Sequence, residues 1–200
     1  MPRYVQLVFA LGLFLTASAC INTASTSPTQ SRDSFDPEKL RAIGSAITKA
    51  QAEKWLPGGV LWVERNGIYF TKAYGKASVE PVKTLTQRDT IYDAASLTKV
   101  VATTPAVMLL HQRGILDIND PVKKFLPEFF RQGRDAVTIR HLLTHTSGLR
   151  PDISINGWDG HAECIAKCVK EVPRAKPDEK FIYSDINFQL LDEIIRRATK

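Results

Sequence analysis

The chain has 200 residues, of which 44% are hydrophobic and 24% are charged. This is the composition of a globular protein, and it excludes an intrinsically disordered chain, which would have too little apolar surface to form a core. The formal net charge is +6, but the basic residues are scattered among acidic ones. Because they form no basic stripe interleaved with aromatic rings, we expect no nucleic-acid partner.

The N-terminal residues predict that the protein is exported. Arg3 precedes an apolar stretch from Val5 to Leu15, and small residues follow, which is the arrangement of a secretory signal peptide. The apolar stretch is about half as long as the roughly 20 residues that a membrane-spanning helix needs. The sequence Ala-Ser-Ala-Cys at 17–20 resembles a bacterial lipobox, in which the cysteine is acylated and begins the mature chain. We therefore predict a lipoprotein-type signal peptide over residues 1–19, with lipidation at Cys20.

This N-terminus sets the expected location and domain organisation. Residues 20–35 are polar and predict a flexible tether, and residues 36–200 form the folded region. A lipid on Cys20 would anchor the protein to a bacterial membrane in the cell envelope, facing the periplasm or the exterior.

A helix and a β-hairpin are predicted at the start of the folded region. Asp36 followed by Pro37 is typical of a helix N-terminus, because the side-chain oxygen caps free N–H groups and proline lacks the N–H that would be unpaired there. Asn66-Gly67 separates two apolar runs and accepts the positive φ angles of a tight turn. We predict a β-hairpin over residues 60–74.

Three further helices are predicted in the middle of the chain. The first runs from about Ser96 to Gly114, with a kink at Pro105. A short helix begins at Pro121, with Asp120 as its cap. The segment Thr-Ile-Arg-His-Leu-Leu-Thr-His-Thr-Ser-Gly-Leu, residues 138–149, predicts another short helix, and Gly148 ends it.

Cysteine and histidine residues in this region invite metal-binding interpretations, which their spacing does not favour. Cys164 and Cys168 lie one helical turn apart, as ordinary helix positions or as a local bridge. With His161 they provide three of the four ligands that a closed zinc site needs. His141 and His145 have the spacing of a zincin motif, but Leu142 occupies the position of the required glutamate. We expect no metal site.

Ser96 and Lys99 carry the chemistry that the sequence predicts. They lie on one face of one helical turn, so that the amine can reach the hydroxyl. A serine hydroxyl becomes nucleophilic only when a neighbouring base accepts its proton. Tyr183 and Asp185 stand just before the last apolar helix, and a phenol beside an ammonium group can take that role. Ser147 lacks such neighbours and is predicted to be a turn residue.

These motifs together resemble the serine β-lactamase and penicillin-binding-protein-like hydrolases, closest to the class C and esterase-like branch. The tetrapeptide Ser-Leu-Thr-Lys at 96–99 is similar to the first family motif, and Tyr-Ser-Asp at 183–185 is similar to the second, Tyr-x-Asn. Residues 138–149 resemble the segment between them, and residues 114–129 and the hairpin add to the resemblance. The similarity extends from about residue 55 to residue 200.

The resemblance implies an α+β fold of the β-lactamase/transpeptidase type, with a helical region and an N-terminal hairpin of an antiparallel sheet. It implies that Ser96 is acylated, that Lys99 is its proton acceptor or electrostatic partner, and that Tyr183 is the base and later the acid. Asp185, where asparagine is commoner, is a binding residue that raises the pKa of Lys99, which favours Tyr183 as the base. No cofactor is implied. The implied substrate is a small-molecule or peptidoglycan-like acyl compound: an ester, a β-lactam or a D-alanyl peptide.

The third family motif, on a later strand, is absent from these 200 residues, as are the C-terminal strands that complete the sheet. We therefore expect the sequence to be the N-terminal part of a longer or disrupted reading frame. Two functional hypotheses remain open at this point. One is a serine hydrolase, and the other is a non-catalytic remnant or binding module of the same fold.

Overall fold

The computed structural model describes residues 29–30, 34–130, 132–153 and 159–200. The predicted signal peptide and Cys20 lie outside the described residues. Within the described part of the chain, no helix has the length and apolar character needed to cross a membrane. The chain divides into two compact units, residues 1–92 and residues 93–200.

The first unit contains the predicted helix. Helix α1 (Pro37–Ala52) is capped by Asp36, whose carboxylate accepts hydrogen bonds from the N–H groups of Glu38 at 2.8 Å and Lys39 at 3.3 Å. The sequence interpretation of this helix start is therefore confirmed.

The hairpin is also confirmed, and it is longer than residues 60–74. Strand β2 (Gly58–Arg65) pairs antiparallel with strand β3 (Ile68–Ser78). Asn66 and Gly67 join them with φ angles of 53° and 74°, the left-handed values that a tight hairpin turn requires.

Two short strands pair with the other edge of β3. Strand β1 (Thr29–Gln30) is parallel to β3, and strand β4 (Thr84–Leu85) is antiparallel to it. Residues 29–30, within the predicted tether, are thus part of the sheet. Strand β2 lies at the edge of the sheet formed by the described residues.

The second unit begins with a helical segment of three geometries. A 3₁₀ turn (Ala95–Leu97) is followed by a π-helical turn (Lys99–Thr103) and by helix α2 (Thr104–Gln112). The predicted kink at Pro105 corresponds to the wide π turn before it. Proline lacks the N–H that would bond to the carbonyl four residues earlier, and its ring displaces that carbonyl.

Two predicted helix ends in this unit are wrong. Asp120 does not cap a helix at Pro121. Its carboxylate accepts the N–H of Asp117 at 2.8 Å and contacts Lys124 Nζ at 2.7 Å, and a 3₁₀ turn (Val122–Lys124) follows. The helix predicted to end at Gly148 is α3 (Ile139–Leu143), which ends five residues earlier.

Helices α4 (Gly160–Cys168) and α5 (Asp185–Ala198) complete the unit. Helix α5 has the strongest amphipathic pattern and supplies much of the core. Fully buried aliphatic and aromatic side chains come from several elements: Val107, Val122, Leu126, Phe129, Val137, Ile139, Leu142, Leu149, Ile186, Leu190, Leu191 and Ile194. Cys164 and Cys168 are free and buried, which agrees with ordinary helix positions and not with a local bridge.

A buried carboxylate ties α4 to α5. Glu193 is 1% exposed and accepts hydrogen bonds from Arg196 and Arg197, and its Oε2 lies 2.9 Å from His161 Nε2. These partners hold the pKa of Glu193 well below its usual range, chiefly through the hydrogen bonds from Arg196. His161 is therefore occupied by a structural contact.

Gly148 makes a close backbone contact in a loop that packs beside the segment preceding α5. Its φ is +79°, and a Cβ there would collide with the carbonyl oxygen of Ala175. Gly133 has a similar φ of +81°, but a Cβ there would meet open space. A comparison of these two glycines therefore distinguishes the cost of a positive φ, which both share, from the cost of a steric collision, which occurs only at Gly148.

We expect Gly148→Ala to destabilise the protein by about 3 kcal/mol and Gly133→Ala by about 1 kcal/mol. Both changes place Cβ in the left-handed region, and Gly148→Ala adds overpacking against fixed backbone. Urea unfolding of the two variants measures the difference. Equal losses of stability would contradict the collision at Gly148.

Candidate active site

Ala95, the residue before Ser96, lies in a backbone conformation that L-amino acids rarely adopt. Ala95 has a φ of +42°, whereas Ala94 has a helical φ of −67°. The N–H of Ala95 donates to the Asp93 carboxylate at 2.8 Å. The chain thus turns sharply just before Ser96, and such strained turns are concentrated at functional sites.

The Lys99 ammonium group contacts two of the predicted site residues directly. Its Nζ donates to Ser96 Oγ at 3.2 Å and forms an ion pair with Asp185 Oδ1 at 2.5 Å. The side chain is 13% exposed. Burial alone would lower the pKa of Lys99, but hydrogen bonds to Asp185 and Tyr183 outweigh it, and the net pKa is raised. Lys99 is therefore a cation at neutral pH.

The Tyr183 phenol interacts with both Lys99 and Ser96. The Lys99 Nζ also lies 5.0 Å from the centroid of the Tyr183 ring. The hydrogen bonds from Lys99 and then Ser96 lower the pKa of Tyr183 from its ordinary value. The structure thus brings together the four residues predicted for the active site, Ser96, Lys99, Tyr183 and Asp185.

The N-terminus of α5 positions Tyr183 and Asp185. Ser184 is the N-cap of α5, and its Oγ donates to the carbonyl of Arg150 at 2.6 Å. The N–H of Asp185 donates to the carbonyl of Pro151 at 2.7 Å. Arg150 is itself held by a bidentate ion pair with Glu171. The segment that carries the phenol is therefore fixed through its backbone.

Three buried polar residues behind the site were not predicted to contribute to it. Ser147, 1% exposed, donates to Asn187 Oδ1 at 2.7 Å and accepts the N–H of Leu149, as a turn residue would. Asn187 is fully buried, and His145 packs 4.5 Å from the Tyr183 ring. Nothing in the local sequence distinguishes these residues from other polar residues, because their burial depends on contacts about 40 residues apart.

A cleft of about 520 Å³ opens beside Ser96. Its walls carry the nucleophile candidate and a mixture of charged and apolar groups, including Ser96, Lys99, His161, Ile165, Phe188 and Asp192. A larger groove, about 780 Å³, lies in the first unit between α1 and β3 and contains none of the predicted site residues. We therefore assign the cleft at Ser96 as the candidate active site.

The chain matches one protein family and is similar to several curated proteins. A family described as Beta-lactamase matches residues 43–200. Protein flp of Staphylococcus aureus strain COL is 32% identical over 154 residues, which are 72% of this chain and 30% of that protein. A putative D-alanyl-D-alanine carboxypeptidase of Salmonella agona is 30% identical over an alignment of 216 residues, covering 98% of this chain and 49% of that protein.

Solved structures show the same fold. The octameric penicillin-binding protein homologue from Pyrococcus abyssi has a TM-score of 0.67 and 29% identity, covering 82% of this chain and 40% of its own. A class C β-lactamase from Rhodobacter sphaeroides has a TM-score of 0.65 and 24% identity, covering 80% and 44%, respectively. The chain spans half or less of the length of these proteins. The predicted α+β fold of the β-lactamase/transpeptidase type is confirmed.

The strained turn before Ser96 gives a stability prediction. Ala95→Gly should stabilise the protein by about 0.5 kcal/mol, because relief of the positive φ exceeds the added entropy of the unfolded chain. Ala94→Gly, at a helical φ, should destabilise it by about 0.5–1 kcal/mol. Urea unfolding of both variants measures the contrast. Destabilisation by both substitutions to the same degree would argue against strain at Ala95.

Proposed function

Because the chain belongs to the Beta-lactamase family, we propose that it is a serine hydrolase that forms an acyl-enzyme on Ser96. The observation that carries the proposal is the position of the Lys99 ammonium group, which donates to the Ser96 hydroxyl at 3.2 Å and lies 5.0 Å from the centroid of the Tyr183 ring. The substrate is a carboxylic ester, a β-lactam or a D-alanyl peptide. The name of the carboxypeptidase relative and the class C β-lactamase fold favour acyl compounds of this range.

The acylation step follows from the positions of these groups. The Tyr183 phenolate accepts the proton of Ser96 Oγ, and Oγ forms a bond to the carbonyl carbon of the substrate. The C–O or C–N bond to the leaving group then breaks, and Tyr183 returns the proton to the leaving oxygen or nitrogen. In the second half of the reaction, Tyr183 accepts a proton from a water molecule, whose oxygen bonds to the acyl carbon. The bond from that carbon to Ser96 Oγ then breaks, and Tyr183 returns the proton to Oγ as the acid product leaves. The backbone N–H of Ser96 stabilises the oxyanion.

Lys99 acts electrostatically in this proposal. Its ammonium stays protonated through the contact with Asp185 and stabilises the phenolate form of Tyr183. Export and lipidation at Cys20 complete the proposal, with the enzyme held at a bacterial membrane of the cell envelope.

The assignment of the nucleophile is tested by covalent labelling. A fluorescent fluorophosphonate or penicillin should label the parent chain and Ser147→Ala, and Ser96→Ala should lose the label. Ser147 is a matched control, because it is a serine of the same unit whose hydroxyl is committed to Asn187. Thermal unfolding of each variant establishes that it is folded during labelling.

Loss of the label in Ser147→Ala, with Ser96→Ala still labelled, would contradict the assignment. A folded parent chain that takes up neither probe at any pH would favour the alternative of a non-catalytic binding module.

Asp185→Asn tests the electrostatic role of Lys99. The Asp185 carboxylate raises the pKa of Lys99 and also that of Tyr183. Both limbs of the pH profile of labelling, the acid limb from Tyr183 and the alkaline limb from Lys99, should therefore move to lower pH. The labelling rate between pH 5 and 11 measures the shift.

Asp192→Asn is the matched control for this test. Asp192 lines the same cleft, but its carboxylate faces His161. We expect its pH profile to match that of the parent. An unchanged profile in Asp185→Asn, or an equal shift in both variants, would contradict the role of the Lys99–Asp185 pair.

A further inference from the structure

His145 occupies a position unusual for an ionisable residue. It follows α3, has a left-handed φ of +58°, and is only 9% exposed. A buried histidine in a strained backbone conformation is held there by its surroundings. The contacts that hold it are therefore informative about its role.

Two different atoms of His145 hold the residues on either side of Tyr183. The carbonyl oxygen of His145 accepts the N–H of Ile182 at 2.9 Å, and its ring Nδ1 accepts the N–H of Ser184 at 3.0 Å. Tyr183 lies between these two anchored residues. The backbone on both sides of the phenol is therefore fixed by a single residue.

The imidazole ring also supports the phenol ring itself. Its centroid lies 4.5 Å from that of Tyr183, with an angle of 32° between the ring planes, and 5.2 Å from that of Phe188. Phe181 packs edge-on against the imidazole ring, with 5.8 Å between the ring centroids. Tyr183 is 44% exposed, so this packing limits the motion of the ring on its inner side.

The hydrogen bond to Ser184 defines the protonation state of His145. A backbone N–H can only donate, so Nδ1 must carry a lone pair, and the neutral ring bears its proton on Nε2. The charged groups that act on the ring are Lys99, from the π-helical turn, and Asp185, from α5. Burial and then Lys99 lower the pKa of His145, and Asp185 opposes them in part.

We propose that His145 is a positioning residue for Tyr183. Its neutral imidazole accepts the N–H of Ser184 and packs against the phenol ring, and both contacts hold the phenol near Ser96 and Lys99. The inference rests on the proposed function, in which Tyr183 is the base. The position of Tyr183, the proposed base, would then depend on His145, a second titratable group that does not contact the substrate.

Protonation of His145 would release this anchor. A proton on Nδ1 removes the acceptor for Ser184 and places a second positive charge near Lys99. Because the folded chain has a lower His145 pKa than the ordinary value of 6.5, the neutral form is present above about pH 6.5, and its stabilising contribution declines as the pH falls through the folded value. The rate of Ser96 labelling should therefore fall toward acid pH in two steps, because both Tyr183 and His145 must be deprotonated for the reaction.

The test uses two substitutions of His145 and one control. His145→Asn keeps an acceptor near the Nδ1 position, tolerates a positive φ and cannot be protonated. His145→Ala removes both the acceptor and the ring. His111→Asn is the control, because His111 is a half-buried histidine of α2 whose Nδ1 contacts the carbonyl of Leu116, away from Tyr183.

The first measurement is the titration of Tyr183, with ¹³C at tyrosine Cζ and Tyr183→Phe to assign its NMR signal. The parent, His145→Asn and His111→Asn should show a pKa of Tyr183 below the ordinary value, and His145→Ala should show a pKa closer to about 10. This measurement needs no turnover. A parent-like Tyr183 titration in His145→Ala would overturn the proposal.

The second measurement is the rate of Ser96 labelling as a function of pH. At pH 8 His145→Ala should be slower by about 10²-fold, as expected for a misplaced catalytic group, and His145→Asn should stay within a few-fold of the parent. Toward acid pH the slope of log rate should steepen from about one to about two in the parent and stay near one in His145→Asn.

The outcomes separate this inference from the proposed function. If His145→Asn is impaired as much as His145→Ala, or if His111→Asn reproduces the effects, the positioning role of Nδ1 is wrong. If His145→Ala does not fold, the slope of log rate at acid pH tests the proposal instead. A slope near one in His145→Asn against about two in the parent supports it, and equal slopes contradict it. If the parent takes up no label, the proposed function is contradicted, and the Tyr183 titration alone decides the role of His145.

Discussion

The candidate site depends on the ion pair between Lys99 and Asp185. This 2.5 Å contact joins the helical segment that carries Ser96 to the first residue of α5, which follows Tyr183 within two positions. A largely buried ammonium without a partner would lose its charge. The pair thus explains in one interaction why the lysine can be desolvated, why it stays cationic, and why the phenol lies within its reach.

Two strained residues flank this pair, and the surrounding packing sustains them. Ala95 and His145 both have positive φ angles, each of which costs about 1–2 kcal/mol. Helix α5 offsets this cost, because its buried face packs against the core. The strained residues orient the candidate site, and the neighbouring helix α5 supplies the stability. Helix α5 therefore both carries a site residue, Asp185, and forms part of the core.

The sequence predicted which residues meet at the candidate site better than it predicted where individual helices begin and end. The Asp36 cap, the Asn-Gly hairpin and the approach of Ser96, Lys99, Tyr183 and Asp185 followed from spacing and from family motifs. The role of Asp120 and the end of α3 were predicted wrongly, because local propensity could not anticipate that Asp120 is used by Asp117 and Lys124. His145 and Asn187 escaped prediction, since their burial arises from contacts between segments distant in sequence.

Opposite pKa shifts suit Lys99 and Tyr183 to the different roles that we propose for them. Their ordinary values of 10.5 and 10.0 differ by too little to distinguish an acid from a base. The structure raises the first and lowers the second, so the pair of charged forms, ammonium and phenolate, gains population relative to the neutral pair. Titratable neighbours whose pKa values are driven apart in this way mark acid–base partners. The imidazole of His145 packs against the phenol and, while it is neutral, adds no second positive charge beside Lys99. Protonation would add that charge and remove the acceptor for the N–H of Ser184, so the imidazole can support the phenol only in its neutral form.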